Sequence, residues 1–187
     1  ENGFSGDHHV AEQIIKMTVD EETNTEFDPR LRIWAKPRAA NGYAWKGAVS
    51  GCSIDYGNSN KQYETFMHYE TLVRDNNPNC LMDYAEILFI KAEAAFHGWI
   101  DGSAKEYYEQ ALTASCQKWA AYGQYAAFPD KDGNTAPVII TSADIQEFLA
   151  NENVAYDGTL QRIAEQTWLS LFWVCGFEMY NEMRRTG

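Results

Sequence analysis

Apolar side chains recur at spacings of three and four from Leu81 onward: Leu81, Tyr84, Ala85, Leu88, Phe89, Ala92, Ala95 and Phe96. That spacing lines one face of an α-helix, so the pattern predicts a helix that stops at Gly98, with Asn77-Pro78-Asn79 as its turn and start signal. Ser103 and Glu106 then make a capping box, in which the hydroxyl accepts from the N3 amide and the carboxylate reaches back to the cap amide. A second helix is expected from there to Tyr122, with Ala104, Tyr108, Ala111, Leu112, Ser115 and Trp119 inside. Another box, Thr141 with Asp144, opens a short helix that buries Ile145, Phe148 and Leu149. The longest stripe comes last: Leu160, Ile163, Ala164, Thr167, Trp168, Leu171, Phe172, Cys175, Met179 and Met183. It predicts one continuous helix ending at Arg184 and Arg185, where a C-terminus favours cations, and pairing with Glu178 or Glu182 is their expected use. Gly176 inside such a helix costs about 1 kcal/mol relative to Ala, which implies a neighbouring helix or backbone at close range.

Ala92, Ala95, Ala104 and Ala111, with Tyr108 as the bulky exception, stand at the offsets of the tetratricopeptide signature. Small side chains let antiparallel helices approach closely, so the first two helices are expected to form a helix-turn-helix repeat. Stacked repeats bury one another, which makes a packing scaffold the expected role and a protein-docking groove the alternative.

Between Arg30 and Asn79 no period holds, and Gly, Asn, Ser and aromatic residues are dense: Trp34, Tyr43, Trp45, Tyr56, Tyr63, Phe66 and Tyr69. Such a mix predicts structured loops with short strands or turns. Sugar rings present apolar C–H faces that stack on aromatic side chains, and their hydroxyls need amides, carboxylates or Arg nearby. Trp34, Tyr43, Trp45 and Tyr56 are therefore the candidate ligand-binding residues. Trp45 leads them, because Gly42 and Gly47 on either side would let the backbone carry a large ring outward. The alternative for any one ring is that it packs its loop down onto the helices.

Composition narrows the classes. Fifteen Lys and Arg against 27 Asp and Glu give a net charge of -12, which repels phosphate backbones and excludes nucleic acid as a partner. No apolar run approaches the roughly 20 residues of a membrane-spanning helix. Cys52, Cys80, Cys116 and Cys175 show no C-x-x-C spacing; Cys116 and Cys175 fall on apolar stripes, while Cys52 and Cys80 are either free or paired in an oxidising compartment. Asp130-Lys131-Asp132-Gly133-Asn134 starts like a calcium loop, but its Gly comes too early and no Glu closes it, so a polar turn is expected and no metal site. The acidic run Asp20, Glu21, Glu22, Glu26, Asp28 reads as a solvated face. No nucleophile elbow, metalloprotease helix, P-loop or dinucleotide fingerprint is present, so no catalytic residue and no cofactor is assigned. A helical glycoside hydrolase, with two acids converging in space, stays open as a third possibility.

Two stretches identify a family. Leu81 to Trp99, LMDYAEILFIKAEAAFHGW, resembles the "YAEvlfikAEAa..GW" segment of the SusD/RagB outer-membrane, glycan-binding lipoproteins, and Phe172 to Gly187, FWVCGFEMYNEMRRTG, resembles their "G.E.wnE.RRTG" segment. The resemblance enters at Asp28-Pro29-Arg30-Leu31 and departs where Tyr180 replaces a common Trp and Cys175 precedes Gly176. It implies a mainly α fold of tetratricopeptide-like helix pairs with long irregular loops, the SusD-like α/α superhelical scaffold. Residues 1–187 are then part of one SusD-like domain, with 1–80 loop-rich and ligand-facing and 81–187 the helical scaffold. Family members are longer, so the chain is expected to be a C-terminal-half fragment. The implied function is non-catalytic capture of an oligosaccharide or polysaccharide at the cell surface and delivery to a TonB-dependent, SusC-like outer-membrane transporter. Membrane attachment would come through an N-terminal lipid anchor outside this segment. A tetratricopeptide-type protein-interaction module without a sugar site is the rival reading.

Overall fold

The computed structural model describes residues 8–77, 80–129 and 135–186. Helix dominates, with nine α-helices and four short strands among the described residues. They form two compact units, Glu1–Asp75 with Ala120–Ile139, and Asn76–Trp119 with Ile140–Gly187. Ala120–Ile139 thus groups with the first unit.

The first unit is built from short pieces: α1 (Glu12–Lys16), α2 (Leu31–Trp34), β1 (Ala35–Lys36), α3 (Ile54–Asn60), β2 (Phe66–Met67), α4 (Tyr69–Leu72) and the hairpin β3 (Ala127–Pro129) and β4 (Thr135–Pro137). The run Asp130 to Asn134 lies outside the described residues. β1 and β2 pair antiparallel, with Ala35 opposite Met67. Asp28-Pro29-Arg30-Leu31 starts α2 through a local bond set: the Asp28 carboxylate accepts from the Arg30 amide and Nε, each at 2.9 Å, and from Nη2 at 2.6 Å. Both side chains are completely buried, and Leu31, Ile33 and Trp34 pack beside them at 0% exposure. The acidic run is therefore only partly a solvated face. Glu21 and Glu22 are exposed, but Asp28 is buried against Arg30 and Glu26 pairs with Arg32.

The second unit holds the long helices α5 (Tyr84–Phe96), α6 (Ala104–Ala120), α7 (Ser142–Ala150), α8 (Leu160–Ser170) and α9 (Gly176–Thr186). Asp83 caps α5, accepting from the Ala85 amide at 3.2 Å, and also pairs with Lys118 near the end of α6. The helix thus starts later than the apolar pattern implies, and Leu81 is left 97% exposed; Pro78 and Asn79 of the expected start signal are outside the described residues. Phe89 meets Tyr108 edge to face at 6.0 Å, and with the Asp83–Lys118 pair this makes α5 and α6 antiparallel. Ser103 accepts from the Glu106 amide at 3.3 Å, which forms half of the expected box, whereas Thr141 and Asp144 complete theirs.

Two expectations are corrected here. Ala92 and Ala111 are fully buried, but Ala95 and Ala104 are partly exposed, and the helix closest to α5 is α8 rather than α6. Bulky Phe89 and Tyr108 fill the α5–α6 seam, so the alanines do not form one close contact. The last stripe is not one helix either. It breaks between Ser170 and Gly176, where Trp173 takes a left-handed φ of 62°. Gly176 is the first residue of α9 and a Cβ there would meet open space, so its role is not close packing. No residue of α9 is buried.

Candidate functional site

The frame of the first unit decides which aromatic rings reach solvent. The Glu12 amide donates to Ala48 O at 2.9 Å, Ala48 to Val10 O at 2.8 Å, and Val10 to Thr65 O at 3.0 Å. A Cβ on Gly47 would lie 2.2 Å from the Glu12 Cα. This glycine therefore serves close backbone approach, and it does not carry its neighbour outward.

Trp45 is accordingly buried, at 6% exposure. Its amide donates to Asn24 Oδ1 at 2.8 Å, its carbonyl accepts from Asn24 Nδ2 at 3.0 Å, and its indole N–H donates to Glu26 at 2.9 Å. The expectation that Trp45 stands uncovered is corrected: a buried indole needs a partner for its N–H, and Glu26 supplies one. Trp34 is also closed off, at 0% exposure, with the Arg30 guanidinium 5.0 Å from its ring centroid. Tyr43 is half-buried in a left-handed turn at φ 60°. Of the four candidates only Tyr56 is openly exposed, at 41%.

Tyr56 belongs to a cluster that residue spacing does not reveal. Ser53 accepts from the Tyr56 amide at 3.2 Å and so starts α3, none of whose residues is buried. The Asn60 side-chain amide donates to Tyr56 O at 3.0 Å, while its Oδ1 accepts from Lys46 Nζ at 3.1 Å. The same ammonium lies 5.5 Å from the centroid of the Tyr63 ring, which is 37% exposed. Lys46 is itself pinned, since its amide donates to Thr65 Oγ1 at 3.0 Å and its carbonyl accepts from the Thr65 amide at 2.7 Å. The result is a surface where the exposed Tyr63 ring lies beside the Lys46–Asn60 hydrogen bond, with the exposed Tyr56 one turn before Asn60 on α3. Tyr63 was visible in sequence only as one of many loop aromatics. Asn60 and Lys46 join it through tertiary contacts alone.

Such a surface can stack on flat apolar faces and bond to hydroxyls. Among the described residues no group of three or more His, Cys, Asp or Glu side chains is placed to hold a metal ion, and Cys52, Cys80, Cys116 and Cys175 are free thiols. No helix there is long and apolar enough to cross a membrane.

Residues 5–187 match the model of the SusD-like family, described as starch-binding and associating with the outer membrane. Among solved structures, a SusD homologue from Bacteroides fragilis is 26% identical with a TM-score of 0.74, covering 96% of this chain and 39% of its own. A protein described as chitin-binding is 22% identical with a TM-score of 0.71, over 96% of this chain and 37% of its own. A second Bacteroides fragilis SusD homologue is 21% identical with a TM-score of 0.68, over 94% and 39%. This chain thus spans less than two fifths of the length of the solved proteins it resembles. No curated protein sequence matches it. With a family model fitted from residue 5 to the last residue, and the same helical architecture in the solved relatives, the chain belongs to the SusD-like family of starch-binding, outer-membrane-associated proteins.

Proposed function

We propose that this chain forms part of a non-catalytic, surface-exposed lipoprotein that binds a glycan and hands it to a TonB-dependent, SusC-like transporter. The observation that carries the reading is the Tyr56–Asn60–Lys46–Tyr63 surface, where the exposed Tyr63 ring stands beside the bonded Lys46 ammonium and Asn60 carboxamide, and the exposed Tyr56 shares α3 with Asn60. Stacking on the rings contributes affinity, and the amide and ammonium orient the hydroxyls. Tyr56 is retained from the four sequence candidates, half-buried Tyr43 stays a candidate for a secondary contact, and Trp34 and Trp45 act as structural supports. The helical second unit is the scaffold.

Affinity electrophoresis in gels containing starch, chitin derivatives or other polysaccharides tests this. Retardation of the native chain by at least one polysaccharide, reduced by Tyr56→Ala and by Tyr63→Ala, is expected. Undiminished retardation in both variants would move the site elsewhere. Release of reducing ends from the same polysaccharides, abolished by one Asp or Glu substitution, would overturn the non-catalytic assignment.

A further inference from the structure

The second unit contains a groove of about 730 Å3 whose floor follows α6 from Lys105 to Gln117, with α5, α7 and residues 155–156 as its walls. At 1.5 Å per residue that floor runs roughly 18 Å, and the volume is that of a ligand site rather than a packing defect. Nothing in the proposed function uses it.

Its lining is selective. Gln110 and Gln117 of α6 and Gln146 of α7 line the same space, and none of the three forms a side-chain hydrogen bond with the described residues. Each keeps two donors and an acceptor for a ligand. A tyrosine stands toward either end. Tyr84 is 67% exposed and follows Asp83, which meets Lys118 near the C-terminus of α6. Tyr156 lies at the other end, its ring 5.5 Å from that of Tyr108, whose hydroxyl donates to Val154 O at 2.5 Å. Tyr156 is thus backed by a buried, hydrogen-bonded ring and held as a platform. Charge narrows the ligand further: Lys105 pairs with Glu109 at 3.7 Å, which leaves Glu106 as an unpaired acceptor. An anionic chain would be repelled there. Beside Leu88 and Leu149 the apolar lining is of small residues, Ala114 on the floor and Ala150 and Ala155 on the walls, a shallow surface better suited to flat rings than to the side chains of a peptide.

We propose that this groove is a second carbohydrate site, built from the second unit alone, that takes a neutral oligosaccharide several rings long between Tyr84 and Tyr156. The inference rests on the glycan-binding reading but uses different residues.

The test is an amide-shift titration of the 15N-labelled chain with neutral hexasaccharides of starch, cellulose and chitin, and with an unstructured lysine-containing peptide as the rival ligand. Shifts at α6 residues 105–117 and at Tyr84 and Tyr156 are expected for a hexasaccharide. Tyr84→Ala combined with Gln117→Ala, both at exposed positions, should weaken that titration about tenfold or more, as lost stacking and hydrogen bonds imply. Shifts confined to Tyr56 and Tyr63 would overturn the groove and leave the first site standing. Shifts confined to the groove would overturn the Tyr56–Tyr63 assignment instead and support the inference. Groove shifts with the peptide alone, or no shifts with any sugar, would overturn it.

Discussion

Arg185 and Glu93, 92 residues apart, face each other in a two-pronged pair, with Nη1 2.5 Å from Oε1 and Nη2 2.7 Å from Oε2. Glu93 lies in the Leu81–Trp99 stretch and Arg185 in the Phe172–Gly187 stretch, so the two segments that carry the family resemblance are joined by this contact. Arg185 also binds Glu182 at 2.7 Å. Hydrogen bonds to Glu182 and then Glu93 raise the guanidinium's proton affinity against the opposing effect of burial, and Arg185 is an ion-pairing residue tying α9 to α5.

Because Arg185 is half exposed, Arg185→Ala is expected to cost only about 1 kcal/mol of global stability. The effect should instead appear locally. Hydrogen exchange should quicken across α9 while the buried face of α5 keeps its protection. Uniform quickening through the second unit would contradict this.

The Asp28–Arg30 pair behaves oppositely, because both side chains are sealed from water. Removing one partner strands a charge, so Asp28→Asn or Arg30→Met should each cost about 3–5 kcal/mol, while replacing both with apolar residues should cost less than the sum. A double-mutant cycle in denaturant measures the difference.

Trp45 and Tyr56 separate stability from binding. Trp45→Ala opens a cavity and should cost about 3–5 kcal/mol. Tyr56→Ala, at a surface position, should change stability within about 0.5 kcal/mol while reducing polysaccharide retardation. Reversed outcomes in melting and gel assays would mean that the exposures of the two rings have been interchanged.

Ala111, one turn on from Tyr108 along the buried face of α6, sits at 0% exposure. Ala111→Leu should overpack that face and cost about 1–3 kcal/mol, measured by urea unfolding. A neutral result would show the face to be loosely packed.

His68 is completely enclosed. Burial lowers its pKa to about 4, with Glu70 opposing and Lys36 adding to the shift. The unfolded imidazole titrates near its ordinary 6.5, so below that pH the unfolded chain binds the extra proton. Stability from this residue is complete above about pH 6.5 and falls as pH drops toward 4, by on the order of 3 kcal/mol. In His68→Gln the fall in melting temperature between pH 7 and pH 5 should shrink. An unchanged pH slope would assign the proton uptake to another group.

Long apolar periods made the second unit readable. Tyr108, Ala111, Leu112, Ser115 and Trp119 lie buried as their spacing indicates, and Thr141 with Asp144 caps α7. The break at Trp173 left no such trace, because the stripe continues in phase through the turn and no proline marks it. In the first unit the glycines beside Trp45 suggested freedom, whereas Gly47 is small because Glu12 passes against it. The Lys46–Asn60–Tyr63 set is a tertiary assembly, invisible to any local period. Solvent exposure of a ring depends on what crosses it, and in loops that is decided by distant chain.

The close passage of Glu12 over Gly47 has a kinetic side. Val10, Ala48 and Thr65 share one ladder of backbone bonds, so the aromatic loops cannot order as a local hairpin. Their entropy of closure must be met before the contacts that reward it exist, which makes this region a slow step in folding compared with the helices after residue 80. A nascent chain would therefore hold its aromatic loops open until the segment through Thr65 has emerged to complete the ladder.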